Sequence, residues 1–379
     1  MNKYNISMLV FIKIRRCINK KKCLKKNKKI NFVKKCYNKY AKKYNLYNYN
    51  YLLNNKYITI NNNISYVPND FVSLSYSCNN AIAGDIITLQ DNTTYYGNLK
   101  IENINGEDEN LIYILGNNTS SIYGNNLNLS KVLQITNSSY VFFGLETTII
   151  DEYGKGFSLT NAQKGFYANN CNNLTIQNLN IYNIGEEGLH IMNNSYSVNI
   201  YNNKIYNTGL YIADYGEGIY VGSAETNWID DEIDATNNID ISYNYIYDTI
   251  AECIDIKEGT FDGLIQYNYM NGSKLNNNND ADSWIDVKGS FWIIQNNTME
   301  ITYTDGIQVH YVDNQSDKTN SGSYNTFKNN DMNCITNNNV SCSGYAINIS
   351  NKTTGNIVCN NNIYENADKG LTNVTSVDC

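Results

Sequence analysis

Two short patterns take turns along this chain from residue 174 to its end. The first reads AECIDIKEG at 251–259 and returns as EGLHIMN from Glu187, EGIYVGS from Glu217, DSWIDVKGS from Asp282, DGIQVH from Asp305 and YAINIS from Tyr345. Each copy sets two apolar residues two apart: Leu189/Ile191, Ile219/Val221, Ile254/Ile256, Ile285/Val287, Ile307/Val309 and Ile347/Ile349. That spacing marks a short strand with one buried face. The second pattern is apolar-x-apolar-x-x-Asn-x-apolar. It runs through Asn203, Asn244, Asn268, Asn297, Asn330 and Asn361, with Leu179 at the Asn position of the first copy. Neither pattern appears twice without the other between.

Segments this short, with period two and rich in Ile, Val and Tyr, disfavour helical repeats. One turn of such a chain cannot bury its apolar face alone, so successive turns must stack. The expected fold is all-β: a single-stranded parallel β-helix, right-handed by the general rule for parallel connections. Asn is expected at its tight turns, because it tolerates left-handed backbone, and stacked Asn amides are expected to bond from turn to turn. The solenoid is expected to span residues 70–379. It begins with a short capping helix near Ser73, followed by strands near 111–115, 132–135 and 141–145, each bounded by Gly, Asn or Ser.

Stacking turns the sequence into columns. Outward between the apolar pairs stand His190, Tyr220, Asp255, Asp286, Gln308 and Asn348, and just after them Met192, Gly222, Lys257, Lys288, His310 and Ser350. Both histidines of the chain fall here. A column of acids precedes the strands: Glu187, Glu217, Glu252 and Asp305, with Ser283 in register beside Asp282. Equivalent positions on stacked strands lie about 4.8 Å apart. Lys257 is therefore expected one turn from Lys288, and Asp255 beside Asp286.

Charge divides the chain. Residues 1–60 hold 17 of the 29 Lys and Arg and no acid, whereas the remainder carries 12 Lys and all 36 acids. The first part reads as a basic low-complexity or targeting segment that resists compaction. Its apolar residues 6–12 form a minimal signal-peptide core, and no run is long enough to span a bilayer. The acidic body is a poor partner for nucleic acid and a good collector of calcium. Asn-x-Ser/Thr sites at Asn92, Asn128, Asn137, Asn173, Asn271, Asn348 and Asn373 permit an extracellular location. Cys334 with Cys342, and Cys359 with Cys379, are expected to form disulfides.

From about residue 75 onward the repeat resembles the pectate-lyase-like superfamily of parallel β-helices, whose members mostly bind or cleave polysaccharides. The Glu252-x-x-x-x-Lys257 spacing is similar to that of the chondroitin B and alginate lyase family. There the Glu binds calcium, the Lys is the base and an Arg from the next turn is the acid; Lys288 stands roughly at that place here. Asp230-Asp231-x-x-Asp234 resembles the calcium cluster of family-nine pectate lyases. Of the polygalacturonase motifs NTD, DD, GHG and RIK, only DD occurs.

The resemblance implies a secreted, monomeric lyase of an acidic, uronate-containing polysaccharide, working by calcium-assisted β-elimination. Lys257 is the expected base, its pKa lowered by Lys288. Lys288 or His310 is the acid or carboxylate clamp, and Tyr220 is a further candidate acid. Glu217, Glu252, Asp255 and Asp286 are the expected calcium ligands. Tyr220, Trp284, Gln308 and His190 are expected to meet sugar. Two rival functions use the same face: a glycoside hydrolase with paired carboxylates, and a glycan-binding or surface solenoid without catalysis. A plainer reading also stands, in which Lys257 and Lys288 form a solvated salt-bridge ladder with Asp255 and Asp286.

Overall fold

The computed structural model describes residues 65–146, 153–277, 281–313 and 319–379, all in one unit, Asn62–Cys379. The basic segment 1–60 and its apolar stretch lie outside them. Among the described residues successive turns of the chain build three parallel sheets, of eleven, nine and ten strands, wound as a right-handed β-helix. None of the described helices is long and apolar enough to cross a membrane.

The first sequence pattern builds the nine-stranded sheet, from Leu99–Glu102 to Ile347–Ile349. Its apolar pairs point inward and are fully buried, from Leu189 and Ile191 through Ile254 and Ile256 to Ile307. Each such side chain contributes about 1.5–3 kcal/mol when withdrawn from water. The second pattern supplies a strand of the eleven-stranded sheet and, after the Asn, one of the ten-stranded sheet. Ile205, Ile246, Met270, Met299 and Met332 follow one another in register there.

The expected amide file exists and is buried. Asn244 Oδ1 accepts from Asn203 Nδ2 at 3.0 Å, and Asn244 Nδ2 donates to Asn268 Oδ1 at 3.0 Å. The file continues through Asn297 and Asn330. From Asn244 onward each amide also receives the backbone N–H of the Asn before it and donates to a strand carbonyl, as Asn244 does to Ile200 at 2.9 Å. Two details differ from the sequence reading. The last member is Asn362 rather than Asn361, because the final turn is one residue longer: Phe327 pairs with Val358 but Asp331 with Ile363. The left-handed residue is also not the file Asn but the one before it, Asn202, Tyr243, Tyr267, Asn296 or Asn329.

The capping helix is Phe71–Asn79. Asp70 Oδ1 accepts the Ser73 N–H at 2.7 Å, and Ser73 Oγ accepts the Asp70 N–H at 3.2 Å. This reciprocal cap fixes the helix start. Leu74 and Cys78 then close the end of the core. At the other end Cys359 and Cys379 are bonded, as expected. Closing that loop contributes about 3 kcal/mol in a chain-entropy account. The expected Cys334–Cys342 bond is not formed: both thiols are free and buried. The two residues meet through the Cys342 N–H and Cys334 carbonyl, at 2.8 Å.

Candidate active site on the nine-stranded sheet

The outer face of this sheet brings the expected columns together. Register pairs His190 with Tyr220, Tyr220 with Asp255, Asp255 with Asp286, and Asp286 with Gln308. From these strands the charged side chains interlock across three turns. Lys257 Nζ lies 2.8 Å from Asp255 Oδ2, and Lys288 Nζ lies 3.2 Å from Asp255 Oδ1. Lys288 also bonds Asp286, whose other oxygen meets His310 Nδ1 at 2.8 Å. The ladder is not solvated: Asp255 and Asp286 are buried, and the lysine side chains keep only 14% and 17% of their surface. His310 stands at the rim, 42% exposed. A buried ion ladder is seldom better for stability than apolar packing, so its presence on this face favours a role in binding or chemistry.

The charge states depart from the sequence reading. Burial pulls the Lys257 ammonium down, but Asp255, and behind it Asp286 and Glu217, outweigh burial and raise it. Lys288 is likewise raised, by Asp255 and Asp286 against burial and the Lys257 charge. The two lysines share Asp255, so their mutual repulsion does not decide the outcome. With the carboxylates ionised, Lys257 holds its proton. Burial also keeps the Tyr220 phenol protonated, helped by the Asp255 charge.

Asp286 raises the His310 pKa above the ordinary histidine value of about 6.5. The stabilisation from this pair is therefore full below about pH 6.5 and fades as pH rises through the folded value. His310→Gln is expected to lose more stability at pH 5.5 than at pH 9, measured against wild type by urea unfolding. A deficit that grows with pH would contradict the pairing.

Glu217, Glu252 and Asp255 each offer a carboxylate oxygen within 4.8 Å of the others, and all three are buried. Burial and the Glu187 and Asp255 charges push Glu217 up to about 8, and Glu252 is pushed well above its usual range by burial, Asp255 and Asp286. Glu217 Oε2 has no hydrogen-bond partner although it is buried. An all-oxygen donor set with an orphaned acceptor and mutual repulsion fits a hard divalent cation such as calcium. Asp286, expected as a fourth ligand, is instead committed to Lys288 and His310, which pull its carboxyl below the ordinary range against burial. Among the described residues the carboxylates of the Asp230–Asp234 motif do not gather into a cluster. Asp234 turns inward to accept the N–H groups of Asn193 and Asn194 at 2.8 and 2.9 Å, and the Ser223 hydroxyl at 2.8 Å.

Of the four residues expected to meet sugar, Trp284 is turned away from the outer face. It is fully buried, its Nε1 donating to the Ile301 carbonyl at 2.7 Å. Strict alternation fails where the chain rounds the corner into the strand, so residues 284 and 285 both face inward. Gly188, Gly218, Cys253 and Gly306 hold the same place on other turns, and their small size is the overlooked signal. At Gly218 an added Cβ would stand 2.6 Å from the Cys253 carbonyl oxygen. Gln308 donates its amide to Asp305 at 3.1 Å. His190 Nε2 donates to the Gly222 carbonyl at 2.9 Å, and its ring lies 4.6 Å from that of Tyr220. Tyr220 underlies Lys257, whose Nζ is 5.0 Å from the ring centroid.

The same face extends one turn earlier than the sequence reading placed it. Lys164 bonds Glu187 and lies 3.0 Å from Glu186, and Tyr167 precedes His190 in register. The strand Lys164–Asn169 is a further copy of the first pattern, disguised by Ala168 at its second apolar position.

No protein-family model matches the sequence, and no curated protein matches it. Among solved structures, the chain is similar to an alginate lyase from Paenibacillus sp. str. FPU-7, with 29% identity and a TM-score of 0.72 over 83% of this chain and 99% of that one. It is also similar in fold to the pectate lyase Pel9A, with 15% identity and a TM-score of 0.51 over 85% and 80% of the two chains. The chain thus shares the right-handed parallel β-helix fold of these lyases, and the 29%-identical neighbour supports a polysaccharide lyase.

Proposed function

We propose that this chain cleaves a uronate-containing polysaccharide by β-elimination on the outer face of the nine-stranded sheet, and that alginate is the first substrate to test. The observation that carries this reading is the interlocked file Lys257–Asp255–Lys288–Asp286–His310, on a fold shared with an alginate lyase. Elimination needs a base for the proton beside the uronate carboxylate, a proton for the departing 4-oxygen, and positive charge on the carboxylate.

Lys257 is the base. Lys288, between two carboxylates, clamps the uronate, with His310 at the rim. The buried phenol of Tyr220, beside Lys257, keeps its proton and donates it to the leaving oxygen. Lys257 must first lose its own proton, which the ionised Asp255 opposes. Glu217, Glu252 and Asp255 would hold a divalent cation, which when bound neutralises their charge and polarises the substrate carboxylate. A disulfide-closed C-terminus and the Asn-x-Ser/Thr sites support an extracellular setting.

The test is one assay on polymannuronate, polyguluronate, polygalacturonate and chondroitin, with and without chelator. An unsaturated, UV-absorbing product is expected on at least one polyuronate, together with a calcium-dependent rise in thermal midpoint that Glu252→Gln abolishes. New reducing ends without UV absorbance would make the protein a hydrolase. Binding without cleavage would make it a lectin-like solenoid. Activity and midpoint indifferent to chelator would remove calcium from the proposal and leave the elimination standing.

A further inference from the structure

We infer that Lys131 and Tyr167 form a second carboxylate subsite, which grips a uronate of the same polymer two strands before Tyr220. This rests on the lyase reading for the class of ligand, but not for its geometry. Three rings stand in file on the outer face. Tyr167 meets His190 edge-on at 5.3 Å, and His190 meets Tyr220 at 4.6 Å. At one end Lys257 Nζ lies 5.0 Å from the Tyr220 centroid; at the other Lys131 Nζ lies 4.8 Å from the Tyr167 centroid. The lysine-over-tyrosine arrangement therefore occurs twice, with His190 between. Tyr167 and Tyr220 are two strand spacings apart, about 10 Å, on the scale of a disaccharide unit.

The two lysines differ in what they already hold. Lys257 is paired with Asp255. Among the described residues Lys131 forms no ion pair, and the two carboxylates whose charge reaches it, Glu187 and Glu186, are paired with Lys164. Burial and the Lys164 charge hold the Lys131 pKa below the ordinary lysine range. A ligand carboxylate would relieve both. A polymer carrying a carboxylate on each sugar, lying along the stacking axis, would meet Lys131 and the Lys257–Lys288 pair with different residues of one strand. A neutral glycan would offer Lys131 hydroxyl acceptors but no opposing charge.

The test compares Lys131→Ala with Lys204→Ala. Lys204 also lies over tyrosine rings, Tyr206 at 5.1 Å and Tyr247 at 5.6 Å, but on the ten-stranded sheet. On polymeric polyuronate Lys131→Ala is expected to raise KM roughly tenfold or more, with kcat changed by less than about twofold. On the shortest oligouronate that is cleaved, KM is expected to stay at the wild-type value. Lys204→Ala is expected to match wild type on both.

Calorimetry of oligouronates on the otherwise intact proteins supplies a readout that does not need turnover. Weaker binding of long oligomers by Lys131→Ala, with binding of short ones unchanged, supports the subsite even if no cleavage occurs. An unchanged KM and affinity, or equal losses on long and short substrates, would overturn it while leaving the lyase reading intact. No binding of any polyuronate to wild type would overturn both.

Discussion

Replacing Lys257 by alanine is expected to lower turnover on the cleaved polyuronate by about 10²–10⁴-fold, the span of a lost general base. The fold should survive, because Lys257 lies on the outer face and the turn beneath it is held by Ile254 and Ile256. A thermal midpoint close to wild type checks this. Alanine alone cannot separate a base from a fixed charge, because Lys257 also neutralises Asp255 at 2.8 Å. Lys257→Arg makes the distinction. Arginine keeps the charge but does not deprotonate, so it should be as inactive as alanine. An arginine variant retaining most of the activity would reassign Lys257 to electrostatic support and move the base elsewhere on the face.

The largest stability effect is expected in the amide file. In Asn244→Ala the Asn203 N–H loses its acceptor at 3.0 Å and the Ile200 carbonyl its donor at 2.9 Å, and both amide neighbours lose a partner. All of these groups are buried, and each unsatisfied one costs about 1–3 kcal/mol. Partial relaxation brings the expected total to about 3–5 kcal/mol, near the upper end for single substitutions. The exposed Asn125, replaced by alanine, should stay within about 0.5 kcal/mol of wild type. Chemical unfolding at constant slope measures both. A small loss at Asn244 would mean that water or a backbone shift replaces the file.

The solenoid and its columns were legible because period two and the turn length both repeat. Any residue between two inward apolar residues must face out, and its neighbour one turn on must stand above it. Tyr220, Asp255, Asp286, Lys257, Lys288 and His310 all followed from that rule. Trp284 did not, because the rule holds inside a strand and fails at the corner before it. Asn362 replaced Asn361 because a single extra residue in the last turn leaves no mark on a pattern so rich in Asn. Charge was the least legible property. That Lys257 and Lys288 stand on adjacent turns could be read from spacing, but whether lysine or carboxylate neighbours dominate depends on which oxygens turn toward which nitrogen. The turn from Lys164 was missed because Ala168 weakened its pattern.

Because every interior amide of the buried file gives to one neighbour and takes from the other, the file sets no length of its own. A duplicated turn spliced between Asn203 and Asn330 would close both junctions with the same bonds, whereas a one-residue slip would close neither. Chains of this kind are therefore built to lengthen by whole storeys. Each added storey would extend the sugar-facing wall by one more rung and lengthen the stretch of polymer that it can grip.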